Sequence, residues 1–186
     1  MNLPNYITIF RIVLVPFFFS FLIYYDSEHQ NFRLFALILF LIGMVTDALD
    51  GLIARKFNKQ TQLGKFLDPF ADKLLLLCGF LGIAFSDAFV LKPPVWIVIV
   101  IVFRDLFIFG GLIIIFFTVN QVEIKPSIFG KITTFLQMLT ILSVLMNWTH
   151  ANWIWFSTAA FTIFSWIIYI RQGILFLNSN SAIKRT

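Results

Sequence analysis

Four aspartates share one register in a chain that is otherwise strongly apolar. They form two pairs, spaced three and four residues apart, within a stretch of 26 residues: Asp47, Asp50, Asp68 and Asp72. A carboxylate at bilayer depth costs about 2.5–3.5 kcal/mol on insertion scales, so four of them need compensation. Two divalent cations would bring four carboxylates close to charge balance, and oxygen ligands favour hard ions such as Mg²⁺ or Mn²⁺. The spacing therefore predicts a two-metal reaction centre.

Glycines and an arginine among these aspartates suit a ligand that carries phosphate. Gly51 and Gly64 leave room for a ligand to approach the backbone, and Arg55 offers a planar fork that matches phosphate. Two metal ions can polarise a diphosphate and stabilise an oxyanion leaving group, while a carboxylate accepts a proton from an attacking alcohol. We therefore expect phosphoryl transfer. The alternative, structural ion pairs between helices, would set four carboxylates against one nearby cation, Arg55.

Two helices are needed to bring the aspartate pairs together. Asp47 and Asp50 fall on one face of the second predicted helix. The third helix is expected to begin near residues 64–69, where a proline is tolerated in the first turn, and to carry Asp68 and Asp72 on one face. Because the connection is short, the two helices should be antiparallel neighbours, so that both acidic faces meet at the cytoplasmic membrane boundary.

The composition is that of a membrane protein. Of 186 residues, 60% are hydrophobic and 12% charged, whereas a soluble domain has about 45–50% apolar and 25% charged residues. The net charge of +5 forms no basic stripe, so no nucleic-acid partner is expected. Six segments can each cross a hydrocarbon core, which takes about 20 residues: 8–25, 33–55, 66–87, 94–118, 128–147 and 152–172. The sequence predicts an all-α, polytopic membrane protein with six transmembrane helices in a single domain, 1–186.

Positive charge is concentrated in two of the connections and in the C-terminal tail. The connection between the second and third helices holds Lys56, Lys59 and Lys65, whereas the opposite face offers only Arg33 and Lys92. Under the positive-inside rule, both termini and the connection between the aspartate pairs are cytoplasmic. The start of the chain shows no convincing signal peptide and no Arg- and Ser-rich leader, so we expect a multi-pass protein of a bacterial inner (plasma) membrane.

The aspartate motif resembles the signature of the CDP-alcohol phosphatidyltransferases. It matches that signature at every defined position: Asp47-x-x-Asp50-Gly51-x-x-Ala54-Arg55-x8-Gly64-x-x-x-Asp68-x-x-x-Asp72. The resemblance extends along the whole chain, because members of that family have six transmembrane helices, cytosolic termini and commonly a homodimeric assembly. It implies an enzyme of the membrane lipid phase whose donor is CDP-diacylglycerol and which releases CMP.

The resemblance also assigns roles to the residues of the motif. It implies that Asp47, Asp50 and Asp68 are ligands of two divalent ions, Mg²⁺ or Mn²⁺. Asp72 would complete the metal site and act as the general base on the acceptor hydroxyl. The cytidine diphosphate portion of the donor would be held by the remaining residues of the motif: Gly51, Ala54, Arg55 and Gly64.

The acceptor alcohol depends on residues outside the motif. Residues 2–11 resemble the start of bacterial phosphatidylglycerophosphate synthases, with Asn5, Thr8 and Arg11 on one helical face. The favoured acceptor is therefore glycerol 3-phosphate, which would give phosphatidylglycerol phosphate. Other acceptors stay open: phosphatidylglycerol, which would give cardiolipin, or inositol or serine.

Three basic residues are candidates for binding the phosphate of the acceptor: Arg104, Lys125 and Lys131. An anionic acceptor needs basic groups beside four carboxylates, and charge-assisted hydrogen bonds to phosphate are strong. Arg104 lies inside an apolar segment, where an ionisable residue is a functional hypothesis by default. The alternative for Arg104 is a structural pair with an acid or a helix carbonyl. For the two lysines the alternative is surface charge that sets the topology.

Two other classes of membrane protein also use intramembrane aspartates. A UbiA-like prenyltransferase sets them in a cavity that holds Mg²⁺ and diphosphate, but that family is longer and has two separated acidic motifs. A metal transporter would use carboxylates along an ion path and often shows inverted repeats. Here all four aspartates of the motif lie in one half of the chain, with no counterpart after residue 105.

Overall fold

The computed structural model describes residues 3–26, 28–57, 62–118 and 128–183, and the side chains of residues 6–26, 28–49, 70–111 and 128–171. This part of the chain forms six α-helices: α1 (Leu3–Ile23), α2 (Asn31–Phe57), α3 (Gln62–Phe85), α4 (Val95–Thr118), α5 (Ile128–Leu145) and α6 (Ala151–Ile183). No strand occurs in these ranges, so the all-α prediction is confirmed. Each predicted segment overlaps one helix, but α1 begins before its predicted start and α6 continues beyond its predicted end.

Four of the described helices are long and apolar enough to cross a membrane by length and composition: Tyr6–Ile23 in α1, Asn31–Leu49 in α2, Ile128–Leu145 in α5 and Ala151–Arg171 in α6. Their outer faces carry large apolar side chains, such as Phe17, which is 60% exposed. Apolar surface of this extent suits contact with lipid rather than with water. The chain is therefore a membrane protein with several apolar helices.

α1 connects the two helices that carry the aspartates. It packs against both α2 and α3, and its contact with each is more extensive than the contact between α2 and α3. We expected α2 and α3 to be direct antiparallel neighbours; they do touch, with Leu75 of α3 against Gly43 of α2, but α1 makes the larger contact with each. On the other side of the bundle, α6 packs against α4 and α5, and α5 also contacts α2 and α3.

Two glycines of α3 let neighbouring helices approach closely. A Cβ atom added at Gly79 would lie 2.7 Å from Cδ1 of Ile141 on α5, and one added at Gly82 would lie 2.6 Å from Cδ1 of Leu22 on α1. Carbon atoms pack at about 3.5–4.0 Å, so a larger residue at either position would force the side chain of Ile141 or Leu22 to move. Close approach through small residues is a usual way in which membrane helices associate. These glycines thus allow α3 to pack closely against α1 and α5.

Buried hydroxyl groups join α5 to α6. Thr140 and Thr158 are both fully buried, and their Oγ1 atoms lie 2.8 Å apart. Nearer the start of α5, Oγ1 of Thr133 lies 3.3 Å from the carbonyl oxygen of Phe161. The two contacts follow the helices in opposite directions, so α5 and α6 are antiparallel. Hydrogen bonds between helices support helix association in lipid, because the hydrophobic effect does not drive association there.

Asp26 organises the connection between α1 and α2. Its Oδ1 atom accepts backbone N–H hydrogen bonds from Glu28 at 2.9 Å and from His29 at 2.7 Å. The backbone N–H of His29 is the main reason why the pKa of Asp26 lies below its ordinary value. Because the folded pKa is lowered, this turn is stabilised above the ordinary pKa and loses that stabilisation as the pH falls through the lowered value.

Candidate active site

A buried arginine of α1 contacts one aspartate from each of the two acidic helices. Arg11 is fully buried, and its Nη1 atom lies 3.1 Å from Oδ1 of Asp47 on α2. The same nitrogen donates a hydrogen bond of 2.5 Å to Oδ1 of Asp72 on α3. The side chains of Asp47 and Asp72 are 31% and 28% exposed, so both carboxylates can be reached from outside the bundle. The structure thus brings Asp47 and Asp72 together.

The buried face of α1 changes from polar to apolar along the helix. Thr8 and Arg11 are fully buried in its first half, and Val15, Phe18 and Leu22 continue the same buried face. The sequence predicts that Thr8 and Arg11 lie on one helical face, but Arg11 is not among the predicted residues of the reaction centre. A signal was present, because an arginine inside an apolar segment marks a functional position by default.

The other residues of the motif lie on the same two helices, and their side chains are outside the described part of the structure. Asp50, Gly51, Ala54 and Arg55 belong to α2, and Gly64 and Asp68 belong to α3. Helical spacing puts Asp50 one turn from Asp47, and Asp68 one turn from Asp72. Lys125 lies outside the described residues altogether.

The described carboxylates fit a site for hard divalent cations. Asp47 and Asp72 present oxygen atoms from α2 and α3 to one nitrogen, at distances of 3.1 and 2.5 Å, so both carboxylates lie beside the same point. Carboxylate oxygens are the donors that Mg²⁺ and Mn²⁺ prefer. No cluster of three or more His, Cys, Asp or Glu residues occurs among the described side chains, which do not include those of Asp50 and Asp68.

A second polar cluster links α3, α4 and α6, and we call it the polar bridge: Lys73, Arg104, Asp105 and Ser165. Nζ of Lys73 lies 3.0 Å from Oδ2 of Asp105. Nη1 of Arg104 donates to Oδ1 of Asp105 at 2.7 Å, and Nη2 donates to Oγ of Ser165 at 2.7 Å. The guanidinium also lies over the ring of Tyr169, 5.6 Å from its centroid. Arg104 is 2% exposed and engaged by an acid, and its role in binding the acceptor stays a prediction.

Lys131 lies at the same end of the bundle as Asp72. It is exposed on the first turn of α5. Thr133, half a turn further along α5, contacts Phe161, and the next turn of α6 carries Ser165 of the polar bridge. Because the polar bridge also contains the residue after Asp72, the start of α5 is level with Asp72 on α3. The structure gives Lys131 no ion-pair partner among the described residues, so its charge faces outward.

Comparison with known proteins decides the family. A sequence profile of the CDP-alcohol phosphatidyltransferases matches residues 1–170 of the chain. The chain belongs to the CDP-alcohol phosphatidyltransferase family. The match covers the aspartate motif together with α1 to α5 and more than half of α6, so the family predicted from the motif is confirmed. It decides against a prenyltransferase or a metal transporter.

Several bacterial enzymes resemble this CDP-alcohol phosphatidyltransferase over most of its length. A protein of Aquifex aeolicus is 34% identical over 182 residues, which cover 93% of this chain and 96% of the relative. A protein of Bacillus subtilis is 36% identical over 155 residues, covering 78% of this chain and 77% of the relative. One of Rickettsia felis is 35% identical over 166 residues, covering 89% and 86%. All three are named CDP-diacylglycerol–glycerol-3-phosphate 3-phosphatidyltransferase.

Proposed function

We propose that this chain transfers the phosphatidyl group of CDP-diacylglycerol to glycerol 3-phosphate and releases CMP, as a step in phospholipid biosynthesis. The relatives from three bacteria carry the name of this activity. The observation that carries the proposal is the contact of Asp47 and Asp72 with one nitrogen of Arg11. This contact brings together the first and last aspartates of the family motif, so all four aspartates can belong to one site.

In the proposed reaction Asp72 is the general base. Its carboxylate accepts the proton of the acceptor hydroxyl. The hydroxyl oxygen forms a bond to the phosphorus of the phosphatidyl group, and the bond from that phosphorus to the oxygen of CMP breaks, with the electron pair leaving on CMP. Asp72 suits this role because part of its side chain is exposed while one of its oxygens is held by Arg11.

Charge on the donor is proposed to be balanced by two divalent ions, Mg²⁺ or Mn²⁺. Their ligands would be the four aspartates: Asp47, Asp50, Asp68 and Asp72. When bound, the ions would neutralise the diphosphate and the leaving oxygen. The cytidine diphosphate portion would contact the other residues of the motif on α2 and α3: Gly51, Ala54, Arg55 and Gly64.

The phosphate of the acceptor is proposed to bind basic residues at the acidic end of the bundle. Lys131 is exposed there, which leaves its ammonium available to a ligand. Lys125 precedes it by six residues, in the connection between α4 and α5. Arg104 is the weaker candidate, because Asp105 and Ser165 occupy both of its terminal nitrogens.

The proposed arrangement in the membrane has six spans with both termini in the cytoplasm. The apolar composition of all six helices and the basic residues of the connections support it. The acidic end of α2 and α3 would then face the cytoplasm at the bacterial inner membrane, where soluble glycerol 3-phosphate can reach it. We include a homodimer in this proposal, as the family resemblance implies.

The acceptor is tested by measuring CMP release from the purified chain with CDP-diacylglycerol and Mn²⁺. Glycerol 3-phosphate, phosphatidylglycerol, inositol and serine are supplied separately, and we expect turnover with glycerol 3-phosphate alone. Turnover only with another of these acceptors would overturn the acceptor but keep the reaction. Metal flux into vesicles without any CMP release would contradict the reaction itself.

The base is tested with Asp72→Asn, which keeps the shape of the side chain and removes its basicity. We expect CMP release to fall by about 10²–10⁴-fold, the range for a general base, while metal-dependent binding of CDP-diacylglycerol largely persists. Asp87→Asn is the matched control, since Asp87 is fully exposed in the connection between α3 and α4 and should keep the wild-type rate. A wild-type rate in Asp72→Asn would refute the assignment.

A further inference from the structure

Arg11 occupies an unusual position for a charged side chain. It is fully buried in α1, whereas the carboxylates that it contacts are about one third exposed. Replacing a buried ion pair by apolar residues is often neutral or stabilising, so such a pair is weak evidence of a role in stability. Because Asp47 and Asp72 retain contact with the outside, they do not need a buried cation in order to be solvated. The position of Arg11 therefore calls for a role beyond stability.

The contacts of Arg11 define what that role can be. One nitrogen, Nη1, reaches Oδ1 of Asp47 and Oδ1 of Asp72, and an Nη group carries two hydrogens that can serve two acceptors. The two aspartates come from different helices, and α1 makes the larger contact with each of those helices. Arg11 thus holds the carboxylates of α2 and α3 at a set separation and orientation. Its full burial keeps it from contacting a substrate itself.

We infer that Arg11 is a positioning residue of the active site, which orients Asp47 and Asp72 for metal binding and catalysis. The inference rests on the proposed function, because that function makes this cluster an active site. The contacts of Arg11 themselves do not depend on it. Groups that orient metal ligands through hydrogen bonds typically change metal affinity or activity by about 10–100-fold when they are replaced. Lysine keeps the charge but does not fix this geometry, because its ammonium rotates freely on a flexible stem, whereas the planar guanidinium fixes the directions of both Nη1 hydrogens.

The test compares Arg11→Lys and Arg11→Gln with wild type in three measurements on the purified chain. These are Mn²⁺ binding by electron paramagnetic resonance without substrate, the thermal unfolding midpoint in detergent, and kcat and KM for CMP release. Arg33→Lys is the matched control, since Arg33 lies at the far end of α2 and should leave all three unchanged. Arg11→Lys keeps the buried charge, so it isolates geometry even where Arg11→Gln fails to fold.

For Arg11→Lys we expect Mn²⁺ affinity or kcat to fall by about 10–100-fold with a nearly unchanged unfolding midpoint. KM for glycerol 3-phosphate should stay close to wild type, because Arg11 is buried away from ligands. A lowered midpoint with wild-type Mn²⁺ binding and kcat in the folded fraction would overturn the inference and leave a purely structural ion pair. A raised KM alone would also overturn it, since that would make Arg11 a substrate ligand.

The two proposals can fail separately. If wild type released no CMP with any acceptor, the proposed function would be wrong, yet Mn²⁺ binding would still decide whether Arg11 orients the carboxylates. If wild type were active and Arg11→Lys matched it in both Mn²⁺ binding and kcat, only the role of Arg11 would be wrong.

Discussion

Buried polar side chains on α5 differ in whether they are paired. Gln137 is fully buried, and neither atom of its amide has a hydrogen-bond partner in the described part of the structure. Thr140 on the same helix is also fully buried, but its hydroxyl contacts Thr158 at 2.8 Å. An unpaired buried polar group costs about 1–3 kcal/mol, whereas a made hydrogen bond contributes about 1 kcal/mol. These two residues should therefore respond to apolar substitution with opposite signs.

We predict that Gln137→Leu raises the free energy of unfolding by about 1 kcal/mol, because it removes an unpaired amide and keeps a similar volume. Thr140→Val is the matched control and should lower stability by a similar amount. Thermal unfolding in detergent measures both. A lower midpoint for Gln137→Leu would contradict the prediction and show that a water molecule or ligand pairs the amide in the native protein.

At the residue scale, the sequence predicted that the aspartates lie on one face of each of two helices. It did not predict that Arg11 contacts them. The i, i+3 and i, i+4 spacings are local, so they could be assigned to helix faces before any packing was known. The contact of Arg11 with Asp72 instead depends on how α1 and α3 are aligned. Gly79 and Gly82 allow the close packing of α3, and this role appears only when the packed neighbours are known.

At the scale of the helices, the polar bridge connects α3, α4 and α6. Asp105 is 13% exposed and contacts both Lys73 and Arg104, so its removal would take away the carboxylate that these two buried cations share. Removing one partner of a buried pair costs about 3–5 kcal/mol, and an asparagine at this position reduces the cost because its amide oxygen can still accept hydrogen bonds. The exposed pair of Asp87 with Lys92, at 3.5 Å, should contribute about 0–1 kcal/mol.

We predict that Asp105→Asn lowers the free energy of unfolding by about 2–3 kcal/mol, whereas Asp87→Asn changes it by less than about 1 kcal/mol. Both replacements remove the charge and keep the shape, and thermal or denaturant unfolding in detergent compares them. Equal effects of the two variants would show that the polar bridge does not hold α3, α4 and α6 together.

The positions of the helices were predicted from the sequence more accurately than the contacts between them. Long apolar runs separated by polar breaks predict where helices lie, because backbone groups in lipid must be satisfied within the segment. The direct α2–α3 pairing was inferred from a short connection. That inference missed the large contact that α1 makes with both helices. This contact depends on residues far apart in the chain, such as Phe18 and Gly79.

For the whole molecule, side-chain contacts determine which helix ends lie together. Arg11 and Asp72 lie in the first halves of α1 and α3, counted from the starts of these helices, and Thr133 lies near the start of α5. The antiparallel pairing of α5 with α6 and the polar bridge place these three starts at one end, together with the acidic face of α2. The connection between α5 and α6 lies at the other end. The proposed orientation therefore makes opposite predictions for two exposed positions.

We predict that Thr149→Cys is labelled by a membrane-impermeant maleimide in intact cells, whereas Ile128→Cys is labelled only after permeabilisation. Thr149 is exposed between α5 and α6, and Ile128 is 74% exposed at the start of α5. Both variants are made in a Cys78→Ser background, since Cys78 is the only cysteine of the chain, and retained CMP release shows that each is folded. The reverse labelling pattern would place Asp47 and Asp72 at the outer face, where cytoplasmic glycerol 3-phosphate could not reach them. That result would contradict the proposed cytoplasmic site even if the isolated protein were fully active in detergent.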